Sequence, residues 1–360
     1  MIDLLIAYGF FLLKIITVLA VILIPIMVIV GSTKHKKETD KGRIIVKNLS
    51  DKLEEIGVSL KSAEMDPKAY KSFLKERTKK KKKAIKGKPK EIIYVLDFKG
   101  DIQASAVDKL KQEINAIIAS EVKCKEVVLK VESGGGSAYA YGLCAAELKR
   151  LVDNKIKLTV CIDKMAASGG YLMSCVATKI VAAPWAIVGS IGVIAQLPNF
   201  HRLLKKLDID IEMHTAGKFK RTLTTLGKNT KQGREKFISE LEDLHVVFKD
   251  FVKENRPKIK VAQVSTGEVW QGDKAVKLGL IDEIGTSDDY LLKLASKFKL
   301  LEIEYFEKKP LTARFSTAIE AIVEKSVYKV LDIFNKDRFL SLIHISEPTR
   351  PERIWYAVFC

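Results

Sequence analysis

Ile92-Ile93-Tyr94-Val95-Leu96-Asp97-Phe98, closed by Lys99-Gly100-Asp101, is a β-rich apolar run that ends on a turn signal. Three shorter runs repeat the pattern: Val127-Val128-Leu129-Lys130-Val131, Leu158-Thr159-Val160-Cys161-Ile162 and Ile180-Val181-Ala182. Amphipathic segments lie between and after them. One helix is predicted from near Ala138, with Ala140, Cys144, Leu148 and Leu151 at spacings of 4, 4 and 3. A longer one is predicted over residues 232–254, where Phe237, Leu241, Leu244, Phe248 and Phe251 form one stripe. Strands alternating with helices imply an α/β domain on a parallel or mostly parallel sheet. No internal repeat is present.

The chain has 360 residues, 47% of them apolar and 29% charged, which permits a packed core and excludes wholesale disorder. Its net charge of +18 is unevenly placed: residues 34–90 hold 20 Lys/Arg against 8 Asp/Glu. A basic segment joined to a nearly ordinary globular domain is not the pattern of a whole-protein nucleic-acid binder. No aromatic residues interleave the lysines of KERTKKKKKAIKGKPK, so the segment reads as a solvated, partly helical linker lying against anionic lipid head groups, with no nucleic-acid partner. The five cysteines lack metal-ligand spacing and sit mostly in apolar runs, so they read as reduced core residues.

Residues 4–30, LLIAYGFFLLKIITVLAVILIPIMVIV, carry Lys14 as their one charge. About 20 helical residues span a bilayer, whereas a cleaved signal has a shorter apolar core behind a basic start. The expectation is a retained single-pass anchor over residues 1–33, followed by the linker at 34–91. Lys34, Lys36, Lys37, Lys41 and Arg43 follow at once, which by the positive-inside rule puts the bulk of the chain in the cytosol; the periplasmic side is the alternative. The remaining expected divisions are a main domain at 92–300, a strand/helix extension at 301–338 and a tail at 339–360. That tail loses the lysine-rich style and reads as translated adapter sequence.

Two glycine-bearing turns follow strands. In Glu132-Ser133-Gly134-Gly135-Gly136-Ser137 the backbone N–H groups can approach a phosphate or an oxyanion, but no Gly-Lys-Ser/Thr follows, so the P-loop pattern fails. In Met165-Ala166-Ala167-Ser168-Gly169-Gly170-Tyr171 a serine stands among small residues where a strand gives way to a helix. It is a candidate nucleophile with Gly169 as an oxyanion donor, or else an ordinary helix N-cap. A nucleophilic serine needs a base. Of the histidines only His201 is a serious candidate, since His245 falls within the long helix and His214 at the end of an expected strand. Lys218 and Lys220 are the other possibilities. A free lysine, with a pKa near 10.4, becomes a base only when burial lowers that value.

The blocks ESGGGSAYAYGL (132–143), DKMAASGGYLMSC (163–175), AIVGSIGVIAQLPNF (186–200), HTAGKFKRTLT (214–224) and TGEVWQGDKAVKLGLIDEIG (266–285) resemble the signal peptide peptidase A family of serine peptidases. The likeness extends through the anchor and linker to about Arg338. It implies a Clp protease/crotonase-like fold of repeated ββα units and a ring-like homo-oligomer. By position it places the nucleophile on Ser168, the general base on Lys220, with Lys218 as the lesser reading, and the oxyanion donors on Gly169 and on Gly136 or Gly135. Gly189, Ser190, Ile191, Gly192 and Val193 would line the substrate groove. The family's first turn usually has a proline where Gly134 stands here, which predicts a more mobile turn. The implied activity is a bacterial inner-membrane endopeptidase with a Ser-Lys dyad and no cofactor, cleaving signal peptides, membrane proteins or other apolar peptides. A histidine-based triad, a crotonase-type acyl-CoA enzyme and an inactive membrane scaffold are the rival readings.

Overall fold

The structure, a computed structural model, describes Gly9, residues 11–15, Thr17 and residues 42–86, 91–120 and 122–307. These divide into two compact units, and residues 44–305 of one of them carry the sheet and the site discussed below. Most of the apolar stretch at 4–30 and all of the tail at 339–360 lie outside the described residues. Among the described residues no helix is long and apolar enough to cross a membrane.

In chain order the elements are β1 (Arg43–Asn48), α1 (Leu49–Glu64), α2 (Pro67–Lys86), β2 (Ile92–Gly100), α3 (Val107–Ala119), β3 (Cys124–Ser133) and α4 (Ala138–Asp153). There follow β4 (Lys157–Ile162), β5 (Met165–Ala167), α5 (Gly169–Ser174), β6 (Lys179–Ala182), β7 (Ile187–Gly189), α6 (His201–Lys206) and α7 (Lys231–Asn255). The last are α8 (Val261–Val264), β8 (Val269–Trp270), α9 (Gly272–Lys277), β9 (Glu283–Ile284), α10 (Ser287–Ala295) and β10 (Lys299–Phe306). The sheet runs β1-β10-β2-β3-β4-β6-β9, and from β10 to β9 every pairing is parallel.

The apolar runs are continuous because the sheet is covered on both faces. Leu96, Phe98, Leu129 and Val160 pack in one layer with Leu110 and Ile114 of α3 and Leu148 and Leu151 of α4. Ile93, Val95, Val128 and Leu300 pack in a second layer with Leu49 and Leu53 of α1 and Leu291 and Leu294 of α10. Cys144, Cys161 and Cys175 are buried free thiols, and burial pushes each up to about 12, which leaves them inert. The long helix predicted at 232–254 is α7, opened by the Thr230 side chain accepting from the Gly233 N–H at 3.0 Å.

The basic segment is more structured than a linker. It is helical in α1 and α2, but Arg43–Asn48 forms β1 and joins the sheet beside β10. Lys47 of β1 reaches Glu304 of β10 at 2.7 Å.

A second departure positions the site. β3 is ten residues long and β4 six. Glu126–Lys130 of β3 pairs with Lys157–Cys161, and the end of β3 continues beyond its neighbour until Ser133 pairs with Ala166 of β5. From there a branch runs β5-β7-β8, parallel and then antiparallel.

At the opposite edge Glu113 of α3 is buried, with the Tyr305 N–H donating to its carboxylate at 2.9 Å and Lys109 Nζ 4.0 Å away. Burial pushes this carboxyl up to about 7, against the pull of Tyr305 and Lys109. The folded chain therefore holds this proton more tightly than the unfolded chain. Stability from this group is full below the ordinary carboxylate range and is lost as pH rises through about 7. Glu113→Gln keeps an acceptor for Tyr305 and removes the titration. Urea unfolding at pH 5 and pH 8 should show the native chain losing roughly 1–3 kcal/mol more than the variant over that interval.

Candidate active site

Ser168 links β5 to α5 with φ 50 and ψ −117, a conformation rare for a residue with a Cβ. Its own N–H donates to Gly189 O at 2.8 Å, and its carbonyl accepts from the Leu172 N–H at 2.9 Å. Ser168 occupies the N-cap position of α5, yet its side chain makes no capping hydrogen bond. Among the described residues its hydroxyl has no hydrogen-bond partner at all. The ordinary N-cap reading therefore fails here. Gly169 follows as the first residue of α5, where an N–H has no intrahelical acceptor.

The overhang of β3 sets the other glycine turn against this serine. Gly135, at φ 92, packs so closely that an added Cβ would lie 2.8 Å from both Ser168 Cβ and Gly169 N. The Gly135 N–H is already engaged, donating to Ser133 Oγ at 3.1 Å. The Gly136 N–H makes no hydrogen bond among the described residues, so of the two expected donors Gly136 is the one available. The Ser137 N–H donates to Ile102 O at 2.7 Å and holds the turn's exit.

Ser168 and Gly169 open on a cavity of about 370 Å³. Gly136, Gly142 and Ala145 give it a small-residue wall, and Leu244, Phe248 and Phe251 of α7 supply the apolar wall opposite. Those α7 residues belong to the stripe that reads in sequence as core, and nothing in their spacing marks them as cavity-lining.

The expected groove segment begins in β7. Ile187–Gly189 is strand, but β5 and β8 occupy both of its edges. The Ser190 N–H donates to Glu268 O at 2.7 Å, and the Gly192 N–H to Ser190 O at 3.0 Å. Ile191 is buried, Val193 lines the cavity, and neither makes a backbone N–H bond among the described residues.

The candidate bases stand apart from Ser168. Lys220 is exposed, its N–H donating to Gly217 O at 3.1 Å, and Lys218 Nζ lies 5.1 Å from the Phe219 ring centroid. His201 starts α6, where its N–H donates to Asn199 Oδ1 at 3.3 Å. None of the three lines the cavity or hydrogen-bonds Ser168. His214 is exposed and ends no strand, because residues 209–215 form no strand among the described residues, while His245 lies within α7 as expected.

Ser168, strained and set between two uncommitted amides at the mouth of an apolar cavity, makes a candidate acyl-transfer site. Residues 150–301 match Peptidase family S49, and residues 3–148 match Peptidase family S49 N-terminal. The chain belongs to peptidase family S49. It is 44% identical to the "Probable protease SohB" of Haemophilus influenzae over 88% of this chain and 94% of that one. It is 42% identical to the "Probable protease SohB" of Buchnera aphidicola subsp. Schizaphis graminum over 94% of this chain and 100% of that one. Among solved structures, a mutant of the 1510-N membrane-bound stomatin-specific protease aligns with 57% of this chain and 85% of its own, at 15% identity and a TM-score of 0.38.

Two glycines of α4 and its approach should behave oppositely. A Cβ on Gly136 would lie 2.1 Å from Ile102 O, whereas Gly142 has nothing within 4 Å. Gly136→Ala should cost about 2 kcal/mol or more because backbone must move. Gly142→Ala should add about 0.5–1 kcal/mol as an ordinary helix-interior gain. Denaturant midpoints of the two variants measure both.

Proposed function

We propose that this chain is a membrane-anchored serine endopeptidase in which Ser168 is the nucleophile and Lys220 the general base. The observation that carries the reading is the unpartnered Ser168 hydroxyl, held at a positive φ beside the amides of Gly136 and Gly169. Neutral Lys220 Nζ takes the Ser168 proton as Oγ bonds to the peptide carbonyl carbon, and the two amides receive the oxyanion. The C–N bond then breaks, lysine returns the proton to the leaving amine, and water releases the acyl group from Oγ. In one chain Lys220 is exposed, so the reading requires its segment to reach Ser168 in the homo-oligomer. Desolvation there would favour the neutral amine.

The substrate inferred is an extended apolar peptide. The cavity supports an aliphatic or aromatic side chain beside the scissile bond, and the free amide of Val193, which lines it, supports backbone pairing there. A bilayer would bring such peptides to the enzyme. Lys68, Lys71, Lys75 and Lys79 recur at spacings of 3, 4 and 4 on the exposed face of α2, while Tyr70, Phe73, Leu74 and Arg77 are half-buried. Arg77 Nε meets Glu54 of α1 at 2.6 Å. Pro67–Lys86 carries ten basic residues and one acidic residue, which suits an anionic lipid surface near an apolar anchor.

The test is covalent labelling of the detergent-solubilised, oligomeric protein with a fluorophosphonate probe. Wild type should label, Ser168→Ala should not, and both Lys220→Ala and Lys220→Arg should label about 100-fold or more slowly, because a guanidinium cannot act as a base. A folded wild type that stays unlabelled, or a Lys220→Arg variant that labels normally, sinks the dyad. For the membrane face, vesicle-reconstituted chain should have its α2 segment protected from trypsin by anionic but not zwitterionic lipid. That protection should fade in high salt.

A further inference from the structure

Tyr141 is fully buried in the first turns of α4 and touches three segments that meet at the site. Its O–H donates to Asp101 O at 2.7 Å, so its single hydrogen is committed to the loop after β2. Its contact with Ser133 Oγ at 2.5 Å is then a bond that the Ser133 hydroxyl donates. Ser133 Oγ in turn accepts from the Gly135 N–H at 3.1 Å. The result is a directed chain from the Gly135 amide through Ser133 and Tyr141 to the Asp101 carbonyl.

The ring of the same tyrosine bears on the nucleophile turn. A Cβ added to Gly169 would lie 2.5 Å from Tyr141 Cγ and 2.7 Å from Cδ2, so the ring lies directly against the Gly169 backbone. The ring is backed by Phe98, edge to face at 6.4 Å. One side chain therefore abuts Gly169 through its carbons and holds the turn carrying Gly136 through its oxygen.

We propose that Tyr141, acting through Ser133, is a positioning residue for the oxyanion site: it sets the separation of the Gly136 and Gly169 amides. It touches no reacting atom. The inference rests on the acyl-transfer reading of Ser168 and adds to it the device that fixes the donors. A phenol suits the task because its ring is rigid and its oxygen can donate and accept at once. Phenylalanine would keep the ring against Gly169 but leave the Ser133 hydroxyl without its acceptor and the Asp101 carbonyl with only the Ala104 N–H as donor.

The experiment compares Tyr141→Phe, Ser133→Ala and the double variant with wild type, using Ile114→Val of α3 as a core-packing control. The readouts are peptide kinetics, fluorophosphonate labelling rate, thermal midpoint and amide exchange over residues 134–137. Tyr141→Phe should lower kcat and the labelling rate together by about 10-fold with KM within about twofold, as expected when oxyanion donors are misplaced rather than removed. Exchange at 134–137 should speed up. Ser133→Ala should behave alike, and the double variant should be no worse than the poorer single, since both break one chain. Ile114→Val should lower the thermal midpoint without that kcat-only signature. A Tyr141→Phe enzyme within twofold of wild type in kcat, or one whose losses match those of Ile114→Val, overturns the proposal. A wild type that fails to label at Ser168 withdraws the acyl-transfer reading and this inference with it, whereas a loss confined to the variants' predicted pattern supports both.

Discussion

The pairing of Ser133 with Ala166 is the constraint on which the site depends. It exists because β3 outruns β4, and the free length at its end recruits β5 in place of the strand it has already passed. Two turns distant in sequence are thereby brought side by side, so that the Gly135 backbone rests on Ser168. Had the two strands ended level, β3 would have offered β5 no edge here to pair with, and nothing in the sheet would have set the Ser168 turn against the glycine turn. The branch also carries strain. Ser168 and Ser190 both have positive φ, at a cost of about 1–3 kcal/mol each. Their conformations are fixed by the bonds from the Ser168 N–H to Gly189 O and from the Ser190 N–H to Glu268 O, which lie on opposite sides of β7.

What the sequence made legible follows from burial. Ile92–Gly100 and Cys124–Ser133 are covered on both faces, so their runs are unbroken and could be read without partners. The small residues around Ser168 marked a close-packed turn for the same reason. β1 was not legible because it is an edge strand, half exposed and rich in lysine and arginine, and Lys47 finds Glu304 only across 257 positions of sequence. Tyr141 was hidden differently. On α4 it looks like one more apolar position, and its hydroxyl's partners come from 8 and 40 residues upstream. The loss of a proline at Gly134 predicted a looser turn. The structure answers with a side-chain tether from Ser133 to the next amide.

The lysine raises a different physical question. Its segment is anchored just beyond it: the Asn199 amide donates to Thr224 O at 2.8 Å and to Gly227 O at 3.0 Å, and the Gly233 backbone packs on Thr222 O. Residues 207–221 are exposed, and they display Leu207, Ile209, Ile211, Met213 and Phe219 to solvent. Lys220 lies in this exposed stretch and does not line the cavity, so a general base there demands that the stretch be brought over Ser168 and covered. The same stretch carries the apolar surface that would make covering it favourable, about 25 cal/mol for each Å² removed from water. The proposed homo-oligomer satisfies both demands with one event. Burying the isoleucines supplies the driving force, and desolvating the neighbouring lysine is the chemical consequence. On this reading assembly also completes the proposed site, and a chain kept monomeric would hold Ser168 and its amides in place with no base beside them.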